Sequence, residues 1–450
     1  MTVHHLCIWH QSELVATLTH DTMENSWGLV YAPTWKIRPK AFGFSPALSL
    51  DAEKHDSQSI RRFIENLLPE GRALDIAASA NGVGRSNIYG LIHELGAETT
   101  GAFRFLPEHV DGRLEPAHAE RRQVSIQELD ARIRDRDKEE FVVWDGKVRL
   151  SVAGYQDKLL VYVDGRIEDG GAMYLPDYPL ASTHILKPQP VDSRFPHMVV
   201  NEHFCMSLAK AMGMPVADVF LLRTPRPVLA VTRFDRTPIK TPAGVPSVAR
   251  RHVIDLCQAA DVPVSYKYER NIGGSGVAAQ YRDGTSFPTL FNQLKHINNK
   301  ASDKLLMMRW ALFQLLIGNC DAHGKNYSFF MDNQGLKSAP WYDLVSVVQY
   351  PAISHELAMA YGDVFNIEEV KGFALADFAV RCNIDRKLMQ REAKKMASSA
   401  RKHAQGLAQT GPYLEEESDF AAQLASYVLL QADRLEQYAG EAVHIKSARL

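Results

Sequence analysis

The chain has 450 residues, about three times the usual single-domain length of roughly 150, so two or three cores are expected. Hydrophobic residues make up 46% and charged residues 23%, a globular composition that excludes a disordered, collagen-like or coiled-coil chain. Lys and Arg total 51 against 53 Asp and Glu, a net charge of −2; this excludes a uniformly basic nucleic-acid binder and leaves room only for a local basic patch.

The first hundred residues read as an α+β unit. Leu6–Trp9, Leu14–Leu18 and Trp27–Tyr31 suit strands, and Ser57–Leu68, Ala73–Ala80 and Ser86–Leu95 suit helices, the last with a Ser cap and a stop at Gly96. Residues 107–140 are highly charged and read as a connecting arm with one surface helix over Ser125–Arg134. A β-rich stretch follows, with strands at Val148–Val152, Lys158–Val163, His184–Lys187 and Val228–Arg233 and a helix at Val199–Met212 stopped by Gly213. Beyond residue 250 helical patterns dominate, at His252–Ala260, Phe287–Ile297, Ser302–Ile317 and Phe420–Tyr438. The expected domains are therefore 1–106, a charged connection 107–145, a β-rich lobe 146–240 and a helical lobe 241–450. Five scattered cysteines form no C-x-x-C pair, no apolar run approaches 18 residues, and the N-terminus lacks the pattern of a signal peptide. A reducing cytoplasm and no membrane span are expected.

Chemistry concentrates in GNCDAHGKN, Gly318–Asn326, directly after the apolar pattern MMRWALFQLLI. Asp321 and Asn326 are five apart, and Asp343 follows in APWYDLVSV. Phosphoryl transfer needs such a set: one carboxylate to take the acceptor hydroxyl's proton, and an amide oxygen and a second carboxylate to hold Mg²⁺ against nucleotide phosphates. His323 and Lys325 share the loop and are candidates to support the phosphate or orient Asp321. The plainer alternative is a polar turn capping a helix. Lys187, in STHILKP at the end of a short predicted strand, is a candidate phosphate lysine or else a strand-end surface lysine. Glu202 is either its partner or a solvent-facing helix residue. Ser151, Gly154 and Lys158 surround a turn whose backbone N–H groups suit phosphate oxygens. Other features carry less. His4, His5, Cys7 and His10 fit no usual zinc spacing, and Gly273–Gly276 reads first as a loop.

The order of these features across a β-rich to α-rich change matches a two-lobed protein-kinase-like fold: a β-rich N-lobe and an all-α C-lobe, here with an additional N-terminal α+β subdomain. The segments NLLPEG, ELGAETTGAFRFLP, SVAGYQDK, THILKPQP, VNEHFCMSLAKAMGM, LAVTRFDR, DLCQ, KYE, GNCDAHGKN and WYDLVS together resemble the HipA family, Ser/Thr kinase toxins of bacterial toxin–antitoxin pairs. The resemblance covers nearly the whole chain. It implies an ATP- and Mg²⁺-dependent protein kinase with Asp321 catalytic, Asn326 and Asp343 as metal ligands, and Lys187 on the nucleotide phosphates. It further implies a phosphate-side loop Ala153, Gly154, Tyr155, Gln156, Asp157 and Lys158, an adenine hinge Thr232, Arg233 and Phe234, and inactivating autophosphorylation at Ser151. The implied partners are a HipB-like helix-turn-helix antitoxin, operator DNA mainly through that antitoxin, and an aminoacyl-tRNA synthetase as substrate. Thr232 stands where the family commonly has glutamate, and Val253 and Ile254 replace polar residues near the nucleotide. Two other classes stay open: a catalytically weak co-repressor, and a small-molecule kinase using the same Asp/Asn/Asp set.

Overall fold

Alternating apolar residues near the N-terminus build an antiparallel sheet. In the computed structural model, which describes residues 3–113, 121–149, 156–240 and 246–446, its strands run in the order Ser26–Tyr31, Glu13–Asp21, Val3–His10, Arg104–Pro107. Leu6, Ile8, Val15 and Leu18 are fully buried. Helix Ser57–Glu65 starts where Asp56 accepts a hydrogen bond from the Ser59 N–H at 2.8 Å, and it buries Ile60, Phe63 and Ile64. Helix Ile88–Leu95 is capped by Asn87, not by Ser86 as expected, and it does stop at Gly96.

The chain divides into two units, one comprising Met1–Gln189, Leu222–Ile254 and Phe330–Gly335, the other Pro190–Leu221, Asp255–Phe329 and Leu336–Leu450. The first unit also holds a larger sheet in which Pro227–Thr232, His184–Pro188, Leu159–Asp164, Ala172–Pro176 and Arg121–Val124 lie side by side. Leu159, Val161 and Leu186 are completely buried in it. Arg121–Val124 falls in the stretch read as a connecting arm, yet it pairs with Ala172–Pro176. The helix read beside it is present as Ile126–Arg134, capped by Ser125, and it buries Leu129 and Ile133.

One ionic network sits in this unit. Arg233 donates to both oxygens of Asp235 at 3.0 and 2.9 Å and to Glu98 at 3.1 Å. Arg250 donates to the other Glu98 oxygen at 2.7 Å, and the Ser182 hydroxyl donates to Glu98 at 2.8 Å. Arg236 also pairs with Asp235, and it donates to the Thr99 and Gly101 carbonyls at 2.7 and 2.9 Å, while the Gly101 N–H donates to Asp235 at 3.0 Å. Burial alone would raise the Asp235 carboxyl, but the charges of Arg233 and Arg236 outweigh it and hold it well below the usual carboxylate range.

The second unit is mainly helical: Met198–Ala211, Lys300–Ile317, Gly372–Arg381, Arg386–Thr410 and Glu416–His444. The last two pack along alanines, including Ala393, Ala397, Ala400, Ala404, Ala425 and Ala432, all buried. Arg401 bridges them at the surface to Asp433 and Glu436 at 2.7 and 2.9 Å. The helical stretch is not free of strands. Glu356–Tyr361 pairs with Val364–Asn366, and His252–Ala260, read as a helix, is strand Val253–Asp255 followed by the short helix Leu256–Ala259.

Asp235→Ala removes the counter-charge of two buried guanidinium groups, and a loss of about 3–5 kcal/mol is expected in urea denaturation at pH 7. A carboxyl depressed by folding contributes stability above its unfolded pKa of about 4 and loses it as pH falls below. The gap between variant and wild type should therefore narrow in acid; an equal gap at pH 3 and pH 7 would assign the effect to packing instead of charge.

Candidate active site

Helix Lys300–Ile317 delivers the loop that carries the expected chemistry. Eleven of its residues are buried, and it ends at Gly318, whose φ of +71° is left-handed backbone that favours glycine. A Cβ there would also approach Val348 within 2.5 Å. The Asn319 side chain then donates to Gln314 at 2.8 Å and accepts from the Asp321 N–H at 3.0 Å. Across residues 311–330 every position is buried except one, and that one is Asp321.

Several other polar groups of this stretch bond inward. The Lys325 ammonium, 4% exposed, donates to Asp255 Oδ2 at 2.6 Å. The second oxygen of Asp255 accepts from the Gln258 N–H at 2.9 Å, and Gln258 returns a bond to the Asp255 N–H, closing a capping box. Lys325 was read as a candidate to support the phosphate or orient Asp321; its ammonium pairs with Asp255. His323 is buried, and its Nδ1 accepts from the Lys325 N–H at 3.2 Å. Burial, reinforced by the charges of Lys267 and Lys325, lowers its pKa well below the ordinary histidine value. It is therefore a neutral imidazole with its proton on Nε2.

Asn326 closes the turn Gly324–Asn326 and is 8% exposed. Among the described residues its carboxamide makes no hydrogen bond. Asp343 has φ +52°, uncommon for a residue with a side chain. The neighbouring Tyr342 hydroxyl donates to the Lys325 carbonyl at 2.5 Å, which ties the segment bearing Asp343 to the segment bearing Asn326. On the far side, Asn201 accepts from the Ser346 N–H at 2.7 Å and donates to the Ser346 carbonyl and the Tyr350 hydroxyl, each at 3.0 Å. Asp321, His323, Lys325, Asn326 and Asp343 thus belong to one framework in the second unit. An amide oxygen and a carboxylate are hard donors that suit Mg²⁺, with waters and substrate phosphates filling its remaining positions.

Of the remaining expected residues, Gln156, Asp157, Lys158, Lys187, Thr232, Arg233 and Phe234 lie in the first unit and Glu202 in the second. Lys187 is 5% exposed, inside strand His184–Pro188 opposite Leu229, so it is not a surface lysine. Lys158 is buried as well, and Asp157 lies 3.4 Å from Arg136. Gln156 is partly exposed just before strand Leu159–Asp164. Thr232 ends its strand opposite His184, and Phe234 packs edge-on against Phe330 with centroids 5.8 Å apart. The Arg233 guanidinium, expected at the adenine hinge, is instead consumed by the Glu98–Asp235 network. Ser151, Ala153, Gly154 and Tyr155 lie outside the described residues. Val253 and Ile254, expected beside the nucleotide, are core residues at 2% and 1% exposure. Glu202 is buried at 2%, not solvent-facing. Sequence reasoning gave no role to Asp255, Tyr268, Tyr342 or Asn201, although the DLCQ, KYE, WYDLVS and VNEHF segments that carry them stood out.

A β-rich stretch followed by a helical one, with an exposed aspartate, an asparagine five residues on and a strained aspartate downstream, defines a kinase-like enzyme. Comparison with known proteins makes this particular. A model of the HipA-like C-terminal domain matches residues 150–404, and a model of the HipA N-terminal domain matches 6–106. The serine/threonine-protein kinase toxin HipA of Shewanella oneidensis is 37% identical over 426 residues, 94% of this chain and 93% of that protein. The putative kinase Y4mE of Sinorhizobium fredii is 33% identical over 89% of this chain and 90% of its own. The solved complex of Shewanella oneidensis MR-1 HipA, HipB and operator DNA contains a chain matching with TM-score 0.87 at 35% identity, covering 98% of this chain and 100% of that one. The chain belongs to the HipA family of serine/threonine kinase toxins.

Asp343→Ala and Asp343→Gly remove the same carboxylate and differ in their tolerance of left-handed backbone. The glycine variant should be the more stable by about 1 kcal/mol in chemical denaturation. Equal midpoints would show that the segment relaxes out of the left-handed region.

Proposed function

We propose that the chain transfers the γ-phosphoryl group of ATP to a Ser or Thr hydroxyl of a protein, with Asp321 accepting the hydroxyl proton. The observation that carries this is the burial pattern: one exposed carboxylate in a buried run whose lysine and histidine are satisfied within the chain. A general base must reach its substrate, and Asp321 is the group left exposed to do so. Asn326 and Asp343 would hold Mg²⁺, which supplies charge neutralisation on the transferring phosphate. Lys187 is the proposed phosphate lysine. At the hinge Arg233 supports its neighbours without contacting adenine, because its guanidinium is occupied and its backbone N–H donates to the Thr183 carbonyl at 2.9 Å.

The remaining assignments rest on family membership. The proposed partners are a HipB-like helix-turn-helix antitoxin and, chiefly through it, operator DNA, and the proposed compartment is the cytoplasm. Among the described residues no helix is long and apolar enough to cross a membrane. The proposed substrate is a translation-related protein such as an aminoacyl-tRNA synthetase. Phosphorylation of Ser151 would add about −1.5 to −2 charge beside the phosphate-side loop of residues 153–158, repelling ATP and switching the enzyme off.

Intact-mass analysis of phosphatase-treated wild type and Asp321→Ala, each incubated with Mg·ATP, tests the reading. The wild type should gain one phosphate, mapped to Ser151, and the variant should lose about 10²–10⁴-fold in rate while keeping its thermal midpoint. Phosphate gain at an undiminished rate in Asp321→Ala overturns the assignment.

A further inference from the structure

Asp321 already has a partner of the chemical type its acceptor would offer. The Tyr268 hydroxyl donates to Asp321 Oδ1 at 2.7 Å. The tyrosine ring stands edge-on to His323, with centroids 5.1 Å apart and planes at 87°. The Lys267 ammonium lies 5.4 Å from the ring centroid.

The backbone beneath this tyrosine is fixed from several directions. The Gly324 N–H, in the same loop as Asp321, donates to the Lys267 carbonyl at 2.8 Å, and the Thr285 hydroxyl donates to that carbonyl at 2.5 Å. The Thr285 N–H donates to the Tyr266 carbonyl at 2.7 Å. The Glu269 N–H donates to the Ala358 carbonyl at 2.9 Å, and the Gly284 N–H donates to the Glu269 carbonyl at 3.1 Å. The Glu269 side chain, 4% exposed, is itself anchored by Arg282 Nε at 2.8 Å and by the Ala360 N–H at 2.8 Å. Space around the contact is equally restricted. A Cβ on Gly324 would come within 2.4 Å of Thr285 Oγ1, and one on Gly284 within 1.8 Å of the Tyr268 carbonyl. A displaceable plug would sit on a loosely held segment; this tyrosine sits on a clamped one.

We infer that Tyr268 is a positioning residue for the phosphoryl-acceptor step: its phenol holds Oδ1 of Asp321 and so fixes the orientation of the carboxylate for the hydroxyl of the incoming Ser or Thr. This rests on Asp321 being the base of the kinase reading. Tyr268 transfers no proton and touches no reacting atom. A carboxylate offers two oxygens, and tying one to a rigid donor removes rotational freedom that would otherwise be lost in every turnover. The donor also stabilises the anionic carboxylate, the form that accepts a proton.

Tyr268→Phe removes the hydroxyl and keeps the ring against His323. The rate of phosphate gain is measured by intact mass on phosphatase-treated full-length protein across a range of Mg·ATP concentrations. The variant should show a maximal rate lowered about 10–100-fold, the range for a lost hydrogen bond to a charged group, with half-saturating ATP unchanged within about twofold. Its thermal midpoint should match the wild type. Tyr268→Ala, which also removes the ring, should be no faster than the Phe variant. A Phe variant as fast as an active wild type overturns this inference and leaves the kinase reading standing. A raised half-saturating ATP at unchanged maximal rate overturns it too, because Tyr268 would then be a nucleotide contact. A wild type that gains no phosphate overturns the kinase reading and this inference with it.

Discussion

Burying a polar group without a hydrogen bond costs about 1–3 kcal/mol, and burying an unpaired charge costs far more. Most polar side chains in the run from residue 311 to residue 330 meet that constraint within the chain. Asn319 meets it through Gln314, Lys325 through Asp255, and Ser328 through Tyr342 at 2.6 Å. Asp321 is exempt because it is exposed. Helix Lys300–Ile317 is buried deeply enough to act as a fixed post, so a carboxylate three residues beyond its Gly318 stop has little freedom of placement. The framework that satisfies the buried groups is thus the same framework that positions the exposed one.

The ionic network of the first unit obeys the same rule with more charges. Three guanidinium groups, Arg233, Arg236 and Arg250, share two carboxylates, Asp235 and Glu98, with backbone carbonyls at Ala97, Thr99 and Gly101 taking further donors. Glu98 is the less enclosed member, its side chain 23% exposed against 6% for Asp235. Asp235 therefore carries the larger electrostatic burden. The network links residues 97–101 to residues 233–236 and 250, so two motifs far apart in sequence, ETTG and RFDR, are halves of one structural device. Neither half announces this alone, because alternating charges in a sequence look the same whether they face solvent or each other.

Much of the fold was legible where side chains report their surroundings strongly. Strands of alternating large apolar residues, such as Glu13–Asp21, and helices closed by glycine, such as Met198–Ala211 followed by Gly213, came through with errors of one to three residues at their ends. Helix Arg386–Thr410 did not. Its buried stripe is Met389, Ala393, Met396, Ala397, Ala400 and Ala404, and alanine is too weakly hydrophobic to mark a period that packing against Glu416–His444 makes decisive. Residues 252–260 misled for the opposite reason. Val253 and Ile254 are apolar enough for a helix face, but they are β-branched and buried on both sides, and the capping box at Asp255 begins the helix only afterwards.

The candidate site shows where a family motif stops being informative. GNCDAHGKN draws attention equally to Asp321, His323, Lys325 and Asn326, because each is a residue type that phosphoryl transfer uses. Geometry separates them by asking what each side chain has already bonded. Lys325 is neutralised by Asp255, and His323 is kept uncharged by burial. Asp321 is exposed, and the Asn326 carboxamide makes no hydrogen bond among the described residues. The same test moves the Arg233 guanidinium from the binding set to the supporting set and brings in Asp255, which both caps a helix and neutralises Lys325. A side chain whose bonding capacity is filled within the chain can shape a site, but contacting substrate would require breaking a buried pair at a cost of several kcal/mol. A residue's standing as ligand or scaffold is therefore set by its partners, and those partners can lie 70 residues away in sequence, as Asp255 and Lys325 do, or 135, as Glu98 and Arg233 do.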